Sequence, residues 1–119
     1  MLEIQHHLNP PGVTIALKGH LDAVTAPQLE KLLDDLLQTE SAQHIVIDLG
    51  EVTFVASAGL RVFLAGAKKA KRAQRGLALC RLQPQVQQVF ELAGMTSLFL
   101  IHSTPDESHA TLRQRSATA

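Results

Sequence analysis

Residues 44–60 read His44-Ile45-Val46-Ile47-Asp48-Leu49-Gly50-Glu51-Val52-Thr53-Phe54-Val55-Ala56-Ser57-Ala58-Gly59-Leu60, and the order of residue types here decides the fold. Ile45 to Leu49 is an apolar run of strand length, which predicts a buried strand. After it the apolar residues switch to helical spacing. Leu60, Phe63, Leu64 and Ala67 make the buried stripe of a helix expected over Ser57–Arg72. Ser57 therefore falls at a strand-to-helix turn, where its side chain can accept a bond from a free N–H of the helix start. Ala56, Ala58 and Gly59 are too small to screen it. A hydroxyl in that shallow, electropositive place suits attachment of a phosphate or contact with a partner.

Outward from this stretch the pattern repeats. Leu2 to Leu8 alternates with period two, Asn9-Pro10-Pro11-Gly12 signals a turn, and Val13 to Leu17 is a second strand, so these two pair antiparallel. Gly19 to Val24 reads as a loop. Thr25-Ala26-Pro27-Gln28 is a capping-box pattern opening a helix whose inner stripe is Leu29, Leu32, Leu33, Leu36 and Leu37. Thr39 to Gln43 then leads to the strand at Ile45.

Beyond the second helix, Gly76 is the expected stop, and Leu77 to Leu82 is a fourth strand. Pro84 opens a third helix with Val86, Val89, Phe90 and Ala93 inward, ended by Gly94. Leu98 to Ile101 is a fifth strand, Thr104 to Glu107 starts a last helix, and Arg113 to Ala119 reads as a frayed tail. Strands alternating with helices predict an α/β domain with a mostly parallel sheet of about five strands and four helices, the first strand antiparallel at the edge. Sites in such sheets lie at the carboxyl ends of the strands. Loop 19–25 and turn 52–59 then share a rim, with Asp22 and Thr25 near Ser57.

Composition narrows the function. At 119 residues the chain is read as one domain, 1–119, with its core over 2–103 and a C-terminal helix and tail over 104–119. Eleven basic and eleven acidic residues cancel, which argues against direct nucleic-acid or anionic-membrane binding. Aromatic residues are only 3%, so the core rests on Leu, Val, Ile and Ala, with the four Phe as its bulkiest members. Cys80 is the lone cysteine, excluding an internal disulfide and a cysteine zinc cluster; mid-strand, it is expected to be buried and inert. Residues 1–7 lack the features of a secretory signal and no apolar segment is long enough to cross a bilayer, so the chain is expected to be cytoplasmic.

Other constellations point nowhere sharp. His20, Asp22 and Ser57 are the residue types of a hydrolase triad, but G-x-S-x-G is absent and His20 and Asp22 sit two apart on one loop, a poor arrangement for an orienting bond. Gly66-Ala67-Lys68-Lys69 lacks P-loop spacing. His6 and His7 fall on opposite faces of a strand, and the other four His show no ligand spacing, so no metal site is expected. Asp22 reads equally as an organiser of its own turn and as a partner contact. Asp48, at a strand end, is expected to tie the Ser57 loop through backbone N–H groups. Lys68, Lys69, Lys71, Arg72 and Arg75 gather at the negative pole of the second helix.

Taken together, Gly19-His20-Leu21-Asp22-Ala23-Val24-Thr25-Ala26, Val46-Ile47-Asp48-Leu49, Val52-Thr53-Phe54, Ser57-Ala58-Gly59-Leu60 and Pro84-Gln85-Val86 through Gly94-Met95 resemble the STAS domain family over about residues 2–103. The subgroup is that of bacterial anti-sigma-factor antagonists. This resemblance implies a STAS-like fold and a binding module, not an enzyme, that needs no cofactor. It implies partner switching: the unphosphorylated form binds a kinase-type anti-sigma factor, an ATP-dependent serine kinase, and frees the sigma factor. Phosphorylation disables it and a PP2C-type phosphatase restores it. The phosphoacceptor falls on Ser57. The partner surface falls on Asp22, Thr25, Ala56, Ser57, Ala58, Gly59, Leu60 and Arg61. Many family members carry Asp immediately before the acceptor, where this chain has Ala56, and Ala58 replaces a frequent second hydroxyl. The alternative within the family is a cytoplasmic accessory subunit of a membrane lipid transporter or another partner complex.

Overall fold

The structure is a computed structural model that describes residues 1–39 and 43–118, the side chains of residues 116–118 excepted. Strands β1 (Leu2–Asn9) and β2 (Gly12–Leu21) form an antiparallel pair across a turn at Pro10-Pro11. Helix α1 (Ala26–Gln38), strand β3 (His44–Val55), helix α2 (Ser57–Arg72), strand β4 (Gly76–Cys80), helix α3 (Pro84–Leu92), a short 3-10 turn at Thr96–Leu98, strand β5 (Leu100–His102) and helix α4 (Pro105–Thr118) follow. The strands lie in the order β1-β2-β3-β4-β5, and β2 to β5 are parallel. The expected mixed sheet with an antiparallel first edge is present. The connection expected over Thr39–Gln43 lies outside the described residues at positions 40–42, as does Ala119.

Each crossover from β2 to β5 steps one strand in the same direction, so α1, α2 and α3 fall on one face. Val13, Ile15, Leu17, Ile45, Ile47 and Leu79 point to that face and pack with Leu29, Leu33, Val62, Phe63, Val86 and Phe90 of the helices. Phe63, Phe90 and Phe99 form a chain through this core, with ring centroids 5.6 Å and 6.0 Å apart. Phe54 is not the fourth core phenylalanine that composition suggested; it stands 51% exposed. The opposite face carries a smaller cluster in which Leu112 of α4 covers Val46, Ala78 and Cys80. Cys80 is buried, as expected, and desolvation above all pushes its thiol up to about 12.

Several boundaries differ from the sequence expectation. β2 and β3 run on to Leu21 and Val55 because they keep pairing past the apolar runs, with register shifts where β3 carries an extra residue opposite β2 between Ala16 and Lys18 and again between Gly19 and His20. The buried face of α2 is Gly59, Val62, Phe63, Gly66 and Ala70, whereas Leu60, Leu64 and Ala67 are half-buried. Periodicity had passed over the two glycines. A Cβ on Gly66 would stand 3.1 Å from Leu33, so its bareness lets α2 lie against α1. α4 continues as helix where a frayed tail was expected from Arg113. It starts where expected, and Thr104 Oγ1 caps it by accepting the Glu107 N–H at 3.2 Å.

Helix ends show the clearest correction. α3 closes on Gly94 at φ 69°, with Met95 N–H donating to Phe90 O (2.9 Å) and Gly94 N–H to Glu91 O (3.0 Å), a Schellman arrangement. α2 closes in the same way, but the left-handed residue is Gln74 at φ 59° and not Gly76. Arg75 N–H donates to Ala70 O at 2.8 Å and Gln74 N–H to Lys71 O at 3.1 Å. A side chain in that backbone region is strained, and glycine is not. Gln74→Gly is therefore expected to raise stability by roughly 0.5–1 kcal/mol. Urea unfolding checks it: the midpoint should rise at unchanged slope.

Candidate functional site

Leu21 ends β2 in register with Val55 at the end of β3, and Ala56 N–H donates to Leu21 O at 2.8 Å. The residues that follow each strand are therefore neighbours. This brings the 22–25 turn and the start of α2 onto one rim, as the strand-end rule predicts.

On the β2 side the turn is built by a capping box three residues earlier than the sequence suggested. Thr25 has helical backbone angles (φ −95°, ψ −25°) and makes no side-chain cap to α1, so Thr25 with Gln28 is not the box. Asp22 is the cap. Its Oδ1 accepts the N–H of Val24 (3.0 Å) and of Thr25 (3.1 Å), and its carbonyl accepts Ala26 N–H at 2.8 Å. Thr25 Oγ1 answers by accepting Asp22 N–H at 2.9 Å. The hydroxyl also donates to His20 O at 2.9 Å. The D-x-x-T spacing is thus a reciprocal cap that stiffens the rim. The Thr25 N–H bond above all, helped by the Val24 N–H and the Thr25 hydroxyl against desolvation, holds the Asp22 carboxyl below its ordinary value.

On the β3 side the expected role of Ser57 as a cap is not observed. Because β3 runs to Val55, only Ala56 is left outside the helix, and it takes the extended cap conformation (φ −88°, ψ 173°) without a side-chain cap bond. Ser57 is the first helical residue, where capping geometry is lost. Its side chain is exposed, and among the described residues its hydroxyl has no hydrogen-bond partner. The positive pole of α2 is consequently left without a side-chain acceptor. Gly59 lies buried beneath: a Cβ there would come within 2.9 Å of Leu21 and 3.0 Å of Val55, so only glycine lets α2 start this close to both strands. Ala58 and Leu60 are half-buried against the core, and Arg61 is exposed one turn beyond Ser57.

Asp48 does not tie this rim, contrary to expectation. Its Oδ1 accepts Gly50 N–H at 2.9 Å and Oδ2 lies 3.4 Å from Arg81 Nη1, since the strand that was to end beside it continues to Val55. His20 packs edge-on against Phe54, ring centroids 5.9 Å apart at 76°. Among the described residues no hydrogen bond joins the side chains of His20, Asp22 and Ser57.

Two residues that the sequence reading did not single out complete the surface. Val24 is 82% and Phe54 is 51% exposed, and they flank the Asp22–Ser57 rim with apolar surface. The signal was present in the chain: Val52 and Val55 are both apolar and three apart in a strand, which requires an extra residue between them and turns Phe54 outward. Beside Ser57 a shallow groove of about 330 Å³ runs between α1 and α2, lined by Ala23, Ala26, Pro27, Ala58, Val62 and Ala65 with Glu30 and Arg61 at its lip. Among the described residues no group of three or more His, Cys, Asp or Glu is placed to hold a metal ion, and no helix is long and apolar enough to cross a membrane.

This rim stands on a small α/β domain whose sheet has one antiparallel edge and three parallel crossovers. Residues 1–108 match the STAS domain model, and the chain belongs to that family. It is 36% identical to the BtrV protein of Bordetella bronchiseptica over 103 residues, 86% of this chain and 88% of that protein. It is 29% identical to the anti-sigma F factor antagonist of Paenibacillus polymyxa over 102 residues, 85% of each. The crystal structure of an anti-sigma factor antagonist from Mycobacterium paratuberculosis superposes with a TM-score of 0.86 over 95% of both chains at 25% identity.

Thr25 is 4% exposed, and replacing it by Val leaves Asp22 N–H and His20 O without their partner. The expected cost is roughly 1–2 kcal/mol in chemical denaturation. In the wild type, carbon NMR of the Asp22 carboxyl is expected to show a midpoint below the ordinary value of about 3.9. The sign follows: the cap is complete above that value and is lost only as pH falls through the lower folded one. A midpoint above it would exclude the box.

Proposed function

We propose that this protein is an anti-sigma factor antagonist that works by partner switching, with Ser57 as the phosphorylated residue. The observation that carries the reading is the state of Ser57: an exposed hydroxyl with no hydrogen-bond partner among the described residues, on an uncapped helix start, inside an apolar rim of Val24 and Phe54. The partner class comes from the names of relatives, one of which is an anti-sigma F factor antagonist.

In this reading the unphosphorylated rim docks on a kinase-type anti-sigma factor. Val24 and Phe54 supply apolar contact, and the Asp22–Thr25 box presents its turn without reordering. The kinase transfers the terminal phosphoryl group of ATP to Ser57 Oγ, with ADP leaving and the hydroxyl proton going to solvent or to a base of the kinase. A PP2C-type phosphatase returns the hydroxyl. The protein itself catalyses nothing, which fits His20 being packed on Phe54 and Asp22 being engaged in its own turn.

The modification adds about −1.5 to −2 charges at neutral pH. Within this chain that charge is tolerated, because the helix pole favours an anion by roughly 0.3–2 kcal/mol and Arg61 lies four residues on, at pairing distance on a helix. Across an interface it is not. Desolvating it against a partner costs several kcal/mol, and each 1.4 kcal/mol is about tenfold in affinity. Ala56, in the place of an acid common in the family, leaves Ser57 with one negative neighbour fewer.

The test is intact mass after incubation with ATP and the cognate anti-sigma factor kinase. Wild type should gain one phosphoryl group and Ser57→Ala none; equal labelling of both would contradict the assignment. Ser57→Asp should keep the wild-type melting curve and bind the same kinase at least tenfold more weakly by calorimetry. Undiminished binding would contradict the charge mechanism, and a wild type that neither binds the kinase nor gains phosphate would favour the transporter-subunit alternative.

A further inference from the structure

The face of the sheet away from α1–α3 contains a chain of buried polar groups far from the Ser57 rim. His44, at the start of β3, is 0% exposed, and His109 of α4 is 5% exposed. His44 Nε2 lies 3.2 Å from His109 Nδ1, and His109 Nε2 lies 2.6 Å from Thr14 Oγ1. Thr14 Oγ1 donates to Asn9 Oδ1 at 2.7 Å. The Thr14 hydrogen is therefore committed, so His109 must donate from Nε2, which leaves its Nδ1 to accept from His44 Nε2–H. Every bond runs in one direction, and it does so only while Nδ1 of His109 carries no proton. The last atom, His44 Nδ1, is buried with no partner among the described residues.

The sheet is cut to receive this ring. A Cβ on Gly12 would collide with His44 Cδ2 and Nε2, and one on Gly76 would stand 3.2 Å from His44 Cβ and 2.8 Å from Leu112 Cδ2. The apolar hold on α4 is small by comparison. Leu112 is its one buried apolar residue among those described, resting on Val46, Ala78 and Cys80. Ser108, also buried, is 2.7 Å from His102 Nδ1. Elements attached by few apolar contacts open at low cost.

We propose that the His44–His109 pair is a pH-operated latch for α4: in mild acid the latch breaks, α4 leaves the sheet, and the face of Val46, Ala78 and Cys80 is uncovered. A proton on His109 Nδ1 would set N–H against the N–H of His44, or drive the His44 proton to Nδ1, where no group among the described residues accepts it. A proton on His44 Nδ1 would place a charged donor where nothing accepts it. The surroundings do not help either ring. β2 offers Thr14, β3 Val46, and β4 Gly76 and Ala78; β1 brings Asn9 and His7, whose position is in register with Thr14, and β5 brings His102, which is held on Ser108. From α4, Arg113 repels a positive ring, and only Asp106 works in its favour, on His109. Burial first, and then these charges, hold both imidazoles below their ordinary value. The docked state is thus complete above the ordinary histidine value of about 6.5 and weakens as pH falls below it, by up to about tenfold per pH unit for each ring.

Cys80 reports the latch. The full-length protein is treated with dithiodipyridine, which modifies thiols in mild acid, between about pH 7.5 and about pH 5, and rates are normalised to the urea-unfolded chain at each pH. The normalised rate should rise about tenfold to a hundredfold per unit below the histidine range while the far-UV circular dichroism keeps the sheet signal. His109→Gln keeps a donor toward Thr14 and removes one titrating ring, so its rise should be at most about tenfold per unit. Imidazole nitrogen NMR of the wild type reads the pair without substitution, and His109 should carry its proton on Nε2 at neutral pH. A flat labelling profile, labelling that appears only as the whole fold is lost, or a proton on Nδ1 of His109 would each overturn the latch.

Discussion

One backbone hydrogen bond, from Ala56 N–H to Leu21 O, fixes the geometry on which the proposed function depends. It is the last rung of the parallel β2–β3 ladder, and it sets two chain reversals side by side at the same edge of the sheet. β3 reaches that rung only by accommodating two extra residues against β2, which bulge the strand and bring both Val52 and Val55 to the helix-facing core. The second irregularity turns Phe54 outward. These two irregularities between β2 and β3 thus produce the apolar flank of the rim as well as the placement of Ser57.

The same region divides rigidity from reactivity. Behind the rim the packing is tight: Gly59 lies where no side chain would fit between α2 and the residues Leu21 and Val55. In front, Ser57 and Arg61 are exposed, and no side chain caps the helix. Charge added at that point would meet solvent and a favourable dipole rather than the core, which is how the proposed switch would alter binding without altering the fold. The Asp22–Thr25 box holds the facing turn, so a partner docking there as proposed would meet a preorganised surface and lose little entropy in ordering it. The α4 face lies on the other side of the sheet, with a separate small core and its own polar relay.

The strand and helix order could be read from the sequence because alternating and helical apolar spacing do not overlap in this chain. Ser57, Asp22 and Thr25 converge for the reason given by strand order alone. What periodicity missed has physical causes. Glycine carries no hydropathy signal, so the true inner face of α2, with Gly59 and Gly66 on it, was displaced toward Leu60 and Leu64. A capping box is conventionally read with Glu or Gln at its third position, and here Thr25 fills that place, which hid Asp22 as the cap. Gln74 adopts a conformation in which glycine is the usual residue, so Gly76 was credited with ending α2. The pairing of His44 with His109 spans 65 positions and follows no local rule.

The most direct measurement is hydrogen exchange of the backbone amides, by mass spectrometry, with and without the anti-sigma factor kinase bound. Slowed exchange confined to segments 20–25 and 53–62, with α4 and β1 unchanged, is the result this account predicts. Protection centred on α4 or the β1 edge, with the Ser57 segment exchanging as in the free protein, would contradict it.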